Sequence, residues 1–214
     1  MIELHHVTKH YMADGQVKVI LDDQTISLPI DHNIGILGRN GSGKSSLMRM
    51  IAGIESPDSG EIIRHTSVSW PVGFSGVFNA YLTGEDNARM LARIYARDPD
   101  YVCAFCQDFS ELGSYFHMPV NTYSSGMKAK LAFSACLAID FQTYLIDEVI
   151  AVGDREFREK CLAAFRARMN CSNVIIISHS VKTLEDYADI VCLLQEGRLT
   201  TFASLEDAVK VYQP

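Results

Sequence analysis

The sequence has no apolar run approaching the roughly twenty residues a bilayer-spanning helix needs, so no segment is expected to cross a membrane. Its first stretch, MIELHHVTKHY, has no basic region followed by an apolar one, as a secretory signal would, and the expectation is a cytosolic chain. Positive charge is in the minority. With 19 Lys and Arg against 26 Asp and Glu the net charge is -7, and the basic residues are scattered. A surface that follows a nucleic-acid backbone is therefore not expected. Only 6 prolines occur in 214 residues, with no low-complexity stretch, linker or internal repeat, which excludes stalks and repeat arrays. The 6 cysteines are spread through otherwise regular segments. CAFC at Cys103–Cys106 has redox or zinc spacing, but it lacks the second CxxC or histidine pair that a zinc site needs. In a reducing compartment these cysteines read as small apolar residues, the CAFC pair lying on one helix face. His5 and His6 fall on opposite faces if Ile2 to Val7 is a strand, so they are not expected to share a metal with His10.

What remains is an alternation of apolar strands and helices. At 48% hydrophobic and 21% charged residues, the chain suits one compact body with a sizeable core. Strands are expected at Ile2 to Val7, Val17 to Leu28, Ile34 to Leu37, near Glu61 to Arg64, at Thr143 to Ile146 and at Asn173 to Ile177. Helices are expected at Lys44 to Ile51, Glu85 to Ala96, Pro99 to Phe109, Ser125 to Ala138 and Glu156 to Met169. The tail from Leu184 to Tyr212 reads as helix, strand, EGR turn, strand and helix. Continuous apolar strands alternating with helices imply an α/β fold with a parallel sheet covered on both faces.

GILGRNGSGKSSLMRMIAG, Gly35 to Gly53, contains G-x-x-x-x-G-K-[ST] at Gly38, Gly43, Lys44 and Ser45, after an apolar strand and at the opening of a helix. That context makes it a P-loop. Glycines let backbone N–H groups converge on phosphate oxygens, and the helix start adds unpaired N–H groups and its dipole. Asn40, Gly41, Ser42 and Ser46 complete the expected cradle. Lys44 is expected at the terminal phosphates and the Ser45 hydroxyl on Mg²⁺.

In TYLIDEVIAVGD, Thr143 to Asp154, an apolar strand ends in two acids and so delivers them to the carboxyl edge of the sheet, where such folds bind ligands. Asp147 is expected to hold Mg²⁺ and Glu148 to act as base toward the water attacking the γ-phosphate. His179, in VIIISHS, ends the next apolar strand at the same edge, within reach of a γ-phosphate. A further helix start, TYSSGMKAKLAFS at Thr122 to Ser134, again presents hydroxyls and backbone amides. A guanine-specific N-K-x-D motif and an arginine-rich acceptor lid are both missing, which argues against a GTPase or a small-molecule kinase.

P-loop, YSSGM, LIDE, VGD and SHS in this order resemble the nucleotide-binding subunit of ABC transporters over nearly the whole chain. The resemblance implies one nucleotide-binding domain over 1–214: a P-loop core with a parallel sheet, an N-terminal antiparallel β subdomain and a helical subdomain inserted at about 80–138. It also implies ATP and Mg²⁺ as cofactors. Ser124, Ser125 and Gly126 match the signature loop that caps the γ-phosphate of a nucleotide bound to a second copy of the chain. Asp154 matches the D-loop aspartate, and Tyr11 the aromatic that stacks on adenine. Ser125, Met127, Val149 and Gly153 depart from the usual pattern. With VSWPVGFSGVFNAYLTGEDN at Val68 to Asn87 they look like the ATPases of bacterial polysaccharide exporters, most of all the capsular type. O-antigen and teichoic-acid exporters share YSSGM, but many carry an extension, whereas this sequence ends at Pro214. A soluble clamp without a permease usually needs paired nucleotide domains or a long coiled coil, and neither is visible here. The family's Q-loop glutamine, expected near Phe74 or Ser75, is missing. The aromatic segment Gly73 to Leu82 lacks a core period and is expected to receive a polytopic permease. The resemblance further implies periplasmic and outer-membrane export partners, no nucleic acid, and a cytoplasmic position at the inner face of the inner membrane.

Overall fold

The computed structural model describes residues 1–13, 15–29, 31–147, 153–169, 171–178 and 181–212. Two compact units emerge. The first comprises Met1–Pro71, Gln142–Val149 and Ser172–Pro214; the second comprises Val72–Phe141 and Ile150–Cys171.

The first unit contains two sheets. β1 (Ile2–Ala13), β2 (Gln16–Leu28) and β4 (Ser59–Arg64) form an antiparallel sheet in the order β2-β1-β4. β3 (Ile34–Leu37), β5 (Val68–Pro71), β6 (Thr143–Asp147), β7 (Asn173–Ile177), β8 (Ile190–Gln195) and β9 (Arg198–Phe202) form the other, in the order β5-β6-β7-β3-β8-β9. Its first five strands run parallel and β9 returns antiparallel to β8. Every residue of β3 and β5 is buried, as strands covered on both faces require. Helix α1 (Lys44–Ile51) follows β3 and packs Leu47, Met48, Met50 and Ile51 into the core with Ile36, Leu145, Ile175 and Cys192. Its last carbonyls are closed by the Arg64 guanidinium, which donates to Ile51 O at 2.6 Å and Met50 O at 2.5 Å; a side chain from β4 thus satisfies helix-end acceptors. Near the chain's end come α6 (Val181–Tyr187) and α7 (Leu205–Val211). At Gly35 a Cβ would sit 2.9 Å from Ala188 Cβ and Leu184 Cδ2, so glycine allows this close approach to β3.

The second unit is helical: α2 (Gly84–Ile94), α3 (Pro99–Ser110), α4 (Ser125–Ala138) and α5 (Arg155–Met169). Thr83 and Asp86 form a reciprocal capping box on α2, and Asp98 caps α3 ahead of Pro99. These fit the local chemistry of helix starts. α4 changes character along its length: Ser124 and Ser125 are exposed, Gly126 to Lys130 half-buried, and Leu131 to Ala138 buried. Phe109 joins the helices through Phe133 and Phe157, at centroid distances of 6.0 and 5.9 Å. Cys103 and Cys106 are both buried on α3, and burial pushes both thiols up.

Two elements differ from the sequence expectation. β1 continues past Val7 to Ala13, through bulges that begin after Leu4 and with His6 at φ 50°; Lys9 and His10 interrupt the apolar pattern without ending the pairing. β5 was not expected. It is an edge strand bonded only to β6, and an edge tolerates Pro71, whose missing N–H costs no ladder bond on the open side.

Candidate functional site

β3 delivers the chain into the P-loop, and α1 begins directly after it. Gly43 stands at the head of α1 with φ 104°, and Leu47 N donates to Gly43 O at 2.9 Å. A Cβ on Gly43 would lie 2.5 Å from Ile20 Cγ2, and one on Gly38 would lie 2.7 Å from Leu194 O. Backbone at these points has no room for a side chain, which is what an amide cradle requires. The Lys44 ammonium curls back into the loop, donating to Gly38 O at 2.7 Å and Arg39 O at 3.0 Å.

The loop forms the floor of a cleft of about 590 Å³. From the loop and α1 the cleft takes Asn40, Gly41, Gly43, Lys44, Ser45 and Ser46; Asp147 enters from the carboxyl end of β6, and Tyr11 from β1. These eight expected site residues therefore share one surface. Gly38 lines neither hollow but packs against Leu194 O and Ser42 Oγ, and Ser42 faces an adjoining hollow of about 410 Å³ with Leu194 and Tyr212. Glu148 and His179 lie outside the described residues; the neighbouring Asp147 and Ser178 place the ends of β6 and β7, which pair Asp147 with Ile177. An anionic ligand here meets a lysine, a helix start and a hydroxyl-rich loop, and a planar ring finds an aromatic wall.

The sequence reading missed Lys18 and Ile20, which line the same cleft from β2. The available signal was strand pairing: β1 and β2 place Lys18 opposite Tyr11, and Ile20 follows two residues on, on the same face. Lys18 adds a second cation to the cleft.

The remaining expected residues belong to the second unit. Ser124, Gly126 and Asp154 border a hollow of about 280 Å³ there, with Lys130 and Glu111. Ser124 Oγ caps α4 by accepting from Met127 N at 3.2 Å, and Ser125 is the exposed first residue of that helix. Tyr123 is buried and anchors the approach by donating to Tyr115 O at 2.6 Å. Asp154 caps α5, accepting from Phe157 N at 2.9 Å. That backbone bond, aided by the Lys130 charge, holds its carboxyl below the usual range. Lys130 Nζ lies 3.7 Å from both Glu111 and Asp154 and 4.2 Å from the centre of the Phe157 ring.

The segment from Gly73 to Leu82 is half-buried to exposed, with Tyr81 84% exposed. Its latter half is tied by Val120 N, which donates to Leu82 O at 2.9 Å, by Asn121 N, which donates to Ala80 O at 2.8 Å, and by the fully buried side chain of Asn87 on α2. Asn87 Oδ1 accepts from Asn79 N at 2.8 Å, and its amide donates to Asn79 O at 3.0 Å, Leu82 O at 3.3 Å and Thr83 O at 2.8 Å. Phe74 and Ser75, where the family glutamine was expected, are half-buried beside a short 3-10 turn, Ser75–Val77. Among the described residues no helix is long and apolar enough to cross a membrane.

The ABC transporter family profile matches residues 21–151. The chain is 46% identical over 212 residues to the capsule polysaccharide export ATP-binding protein CtrD of Neisseria meningitidis serogroup B, covering 99% of this chain and 98% of that protein. It is 45% identical to the ATP-binding protein BexA of Haemophilus influenzae, with the same coverage of 99% and 98%. Among solved structures, a dimeric post-hydrolysis state of an ATP-binding cassette bound to ADP and Pi superposes with a TM-score of 0.71. That match covers 94% of this chain and 98% of the other at 18% identity, and it bears on the fold alone. Similarity of this degree along nearly the whole length leads to one conclusion: the chain belongs to the ABC transporter family, as one of its ATPase subunits.

Proposed function

We propose that this chain is the ATP-binding and ATP-hydrolysing subunit of a bacterial exporter of capsular polysaccharide, working at the inner face of the inner membrane and driving glycan through a separate polytopic permease. The cleft that joins Tyr11 to Lys44, Ser45 and Asp147 carries the nucleotide part of this reading. The 46% identity to a capsule polysaccharide export ATP-binding protein supports the cargo. In this reading the two units make one nucleotide-binding domain with its helical part inserted.

Tyr11 stacks on the base, the loop amides from Gly38 to Ser46 hold the phosphates, and Lys44 engages the β and γ phosphates. Ser45 and Asp147 bring a hydroxyl and a carboxylate to one cleft, a hard-oxygen pair that suits Mg²⁺ when phosphate oxygens and water complete the shell. Held there, Mg²⁺ would supply positive charge against the terminal phosphates. Glu148 takes the proton of the attacking water, and His179 contacts the γ-phosphate. Ser124, Ser125 and Gly126 serve the nucleotide of a second copy, and Asp154 lies at the same interface. The exposed start of α4 supports this, since only its later turns are buried. Gly73 to Leu82, its latter half braced by Asn87, receives the permease. Periplasmic and outer-membrane proteins carry the glycan onward.

Purification through this chain from detergent-extracted membranes is expected to bring down a polytopic subunit together with ATPase activity. Lys44→Ala is expected to keep that assembly while losing hydrolysis and surface glycan, because the main cation at the terminal phosphates is gone. Normal surface glycan in cells whose only copy is Lys44→Ala would refute the proposal.

A further inference from the structure

One carboxylate outside the P-loop gathers an unusual set of donors. The Tyr11 hydroxyl donates to Glu55 Oε1, and Lys9 Nζ lies 3.0 Å from that oxygen. The other oxygen, Oε2, accepts from Arg49 Nε at 3.1 Å. The same guanidinium reaches Ser46 Oγ at 3.1 Å and the Tyr11 hydroxyl at 3.5 Å through Nη2. Lys9 is further held by Ser56 O at 3.0 Å and Asp58 at 3.2 Å. Exposed ion pairs contribute little, but here the Glu55 side chain is only 19% exposed and that of Lys9 11%. Burial alone would raise the Glu55 carboxyl; the bonds from Tyr11, Lys9 and Arg49 outweigh it and keep the carboxyl ionised at neutral pH.

A tie between β1 and the turn after α1 would explain Lys9 and Asp58. It does not explain why a hydrogen-bonded path begins at the aromatic wall of the cleft and ends on a residue of its phosphate floor. We propose that Glu55 is a positioning residue of the nucleotide site: it fixes the Tyr11 ring by its hydroxyl, with Lys9 and Arg49 holding the carboxylate in place. The inference rests on Tyr11 being the base platform. Its physical content is preorganisation. A tyrosine near the end of a hairpin loses rotamer freedom when a base stacks on it, and an anchored hydroxyl removes that cost before binding. Glu55 does not line the cleft and acts only through Tyr11.

The test compares affinities of the purified full chain for ATP and for inorganic tripolyphosphate, measured without Mg²⁺ so that no turnover intervenes. The variants are Tyr11→Ala, Tyr11→Phe, Glu55→Gln and the Tyr11→Phe/Glu55→Gln double. Tyr11→Phe keeps the ring and removes one oxygen, so it stays informative even if Glu55→Gln lowers stability. Tyr11→Phe and Glu55→Gln are each expected to weaken ATP by about three- to tenfold, roughly the value of one net hydrogen bond. Tripolyphosphate, which has no base, is expected to bind as to wild type. The double variant is expected to be no weaker for ATP than the weaker single, because Glu55→Gln removes the charge from the same link that Tyr11→Phe breaks. If Tyr11→Ala weakens ATP while Tyr11→Phe and Glu55→Gln bind it normally, the ring stacks unaided and Glu55 has no positioning role. If even Tyr11→Ala binds ATP normally, the platform reading itself fails, and the inference with it. Equal loss of ATP and tripolyphosphate in Glu55→Gln and Tyr11→Phe would make the network a support of the loop as a whole and overturn the inference.

Discussion

Gly43 shows how narrowly the proposed nucleotide cradle constrains single residues. Its φ of 104° lies outside the usual range for a side-chain-bearing residue, and Ile20 Cγ2 occupies the space 2.5 Å from where a Cβ would stand. Gly43→Ala therefore combines backbone strain with crowding against Ile20, a loss of about 2–4 kcal/mol. Chemical denaturation of the purified chain checks this, and an unfolding midpoint equal to wild type would contradict it. The neighbouring Lys44 is 7% exposed and donates to Gly38 O and Arg39 O, so its charge is held within the loop.

At the scale of elements, the loop from Asn79 to Thr83 depends on a helix that supplies it with one buried amide. Asn87→Leu fills similar volume but removes the donor to three carbonyls and the acceptor for Asn79 N. The expected loss is on the order of 3 kcal/mol, with faster amide exchange and proteolysis across residues 79–83 than across α3. Uniform protection in the variant would show that the loop stands without Asn87. Which elements could be read from the sequence follows from how local their causes are. The P-loop lies within one short stretch, and α4 announces itself by Ser124 followed by a helical run, so both are legible. β5 is four residues ending in Pro71 and exists as a strand only because β6 lies beside it. The far half of β1 carries Lys9 and His10, whose partners Glu55 and Asp58 follow α1, far along the chain. Lys18 enters the cleft through the β1–β2 register. Arg49 looks like an ordinary exposed helix residue until the Glu55 carboxylate reaches it. Glu148 and His179 are legible as motif residues alone.

Across the whole molecule, paired carboxylates set the response to acid. Lys160 holds Glu111 below its ordinary range, and Arg89 followed by His117 does so for Glu85. Asp154 is lowered first by Phe157 N, and Glu55 is lowered despite its burial. Each has a folded-state value below its unfolded one, so its contribution is complete above the unfolded value and disappears as pH falls through the folded one. The melting temperature is expected to hold from neutrality and then fall between about pH 5 and about pH 3, less steeply in high salt because most of these groups are exposed. A melting temperature unchanged over that interval would contradict the pairing. In the proposed dimer the P-loop of one copy and the α4 start of the other complete each nucleotide site, and a mixed dimer tests this most directly. One tagged subunit carries Lys44→Ala and the other Ser124→Arg, each expected to inactivate its own homodimer. With shared sites, both lesions fall in one site and the other is entirely wild type. Nucleotide trapping in the purified mixed dimer reads this without requiring cooperative turnover. Trapping on the Ser124→Arg subunit alone, which retains Lys44, is the expected result; no trapping on either subunit, with both folded, would contradict the shared site.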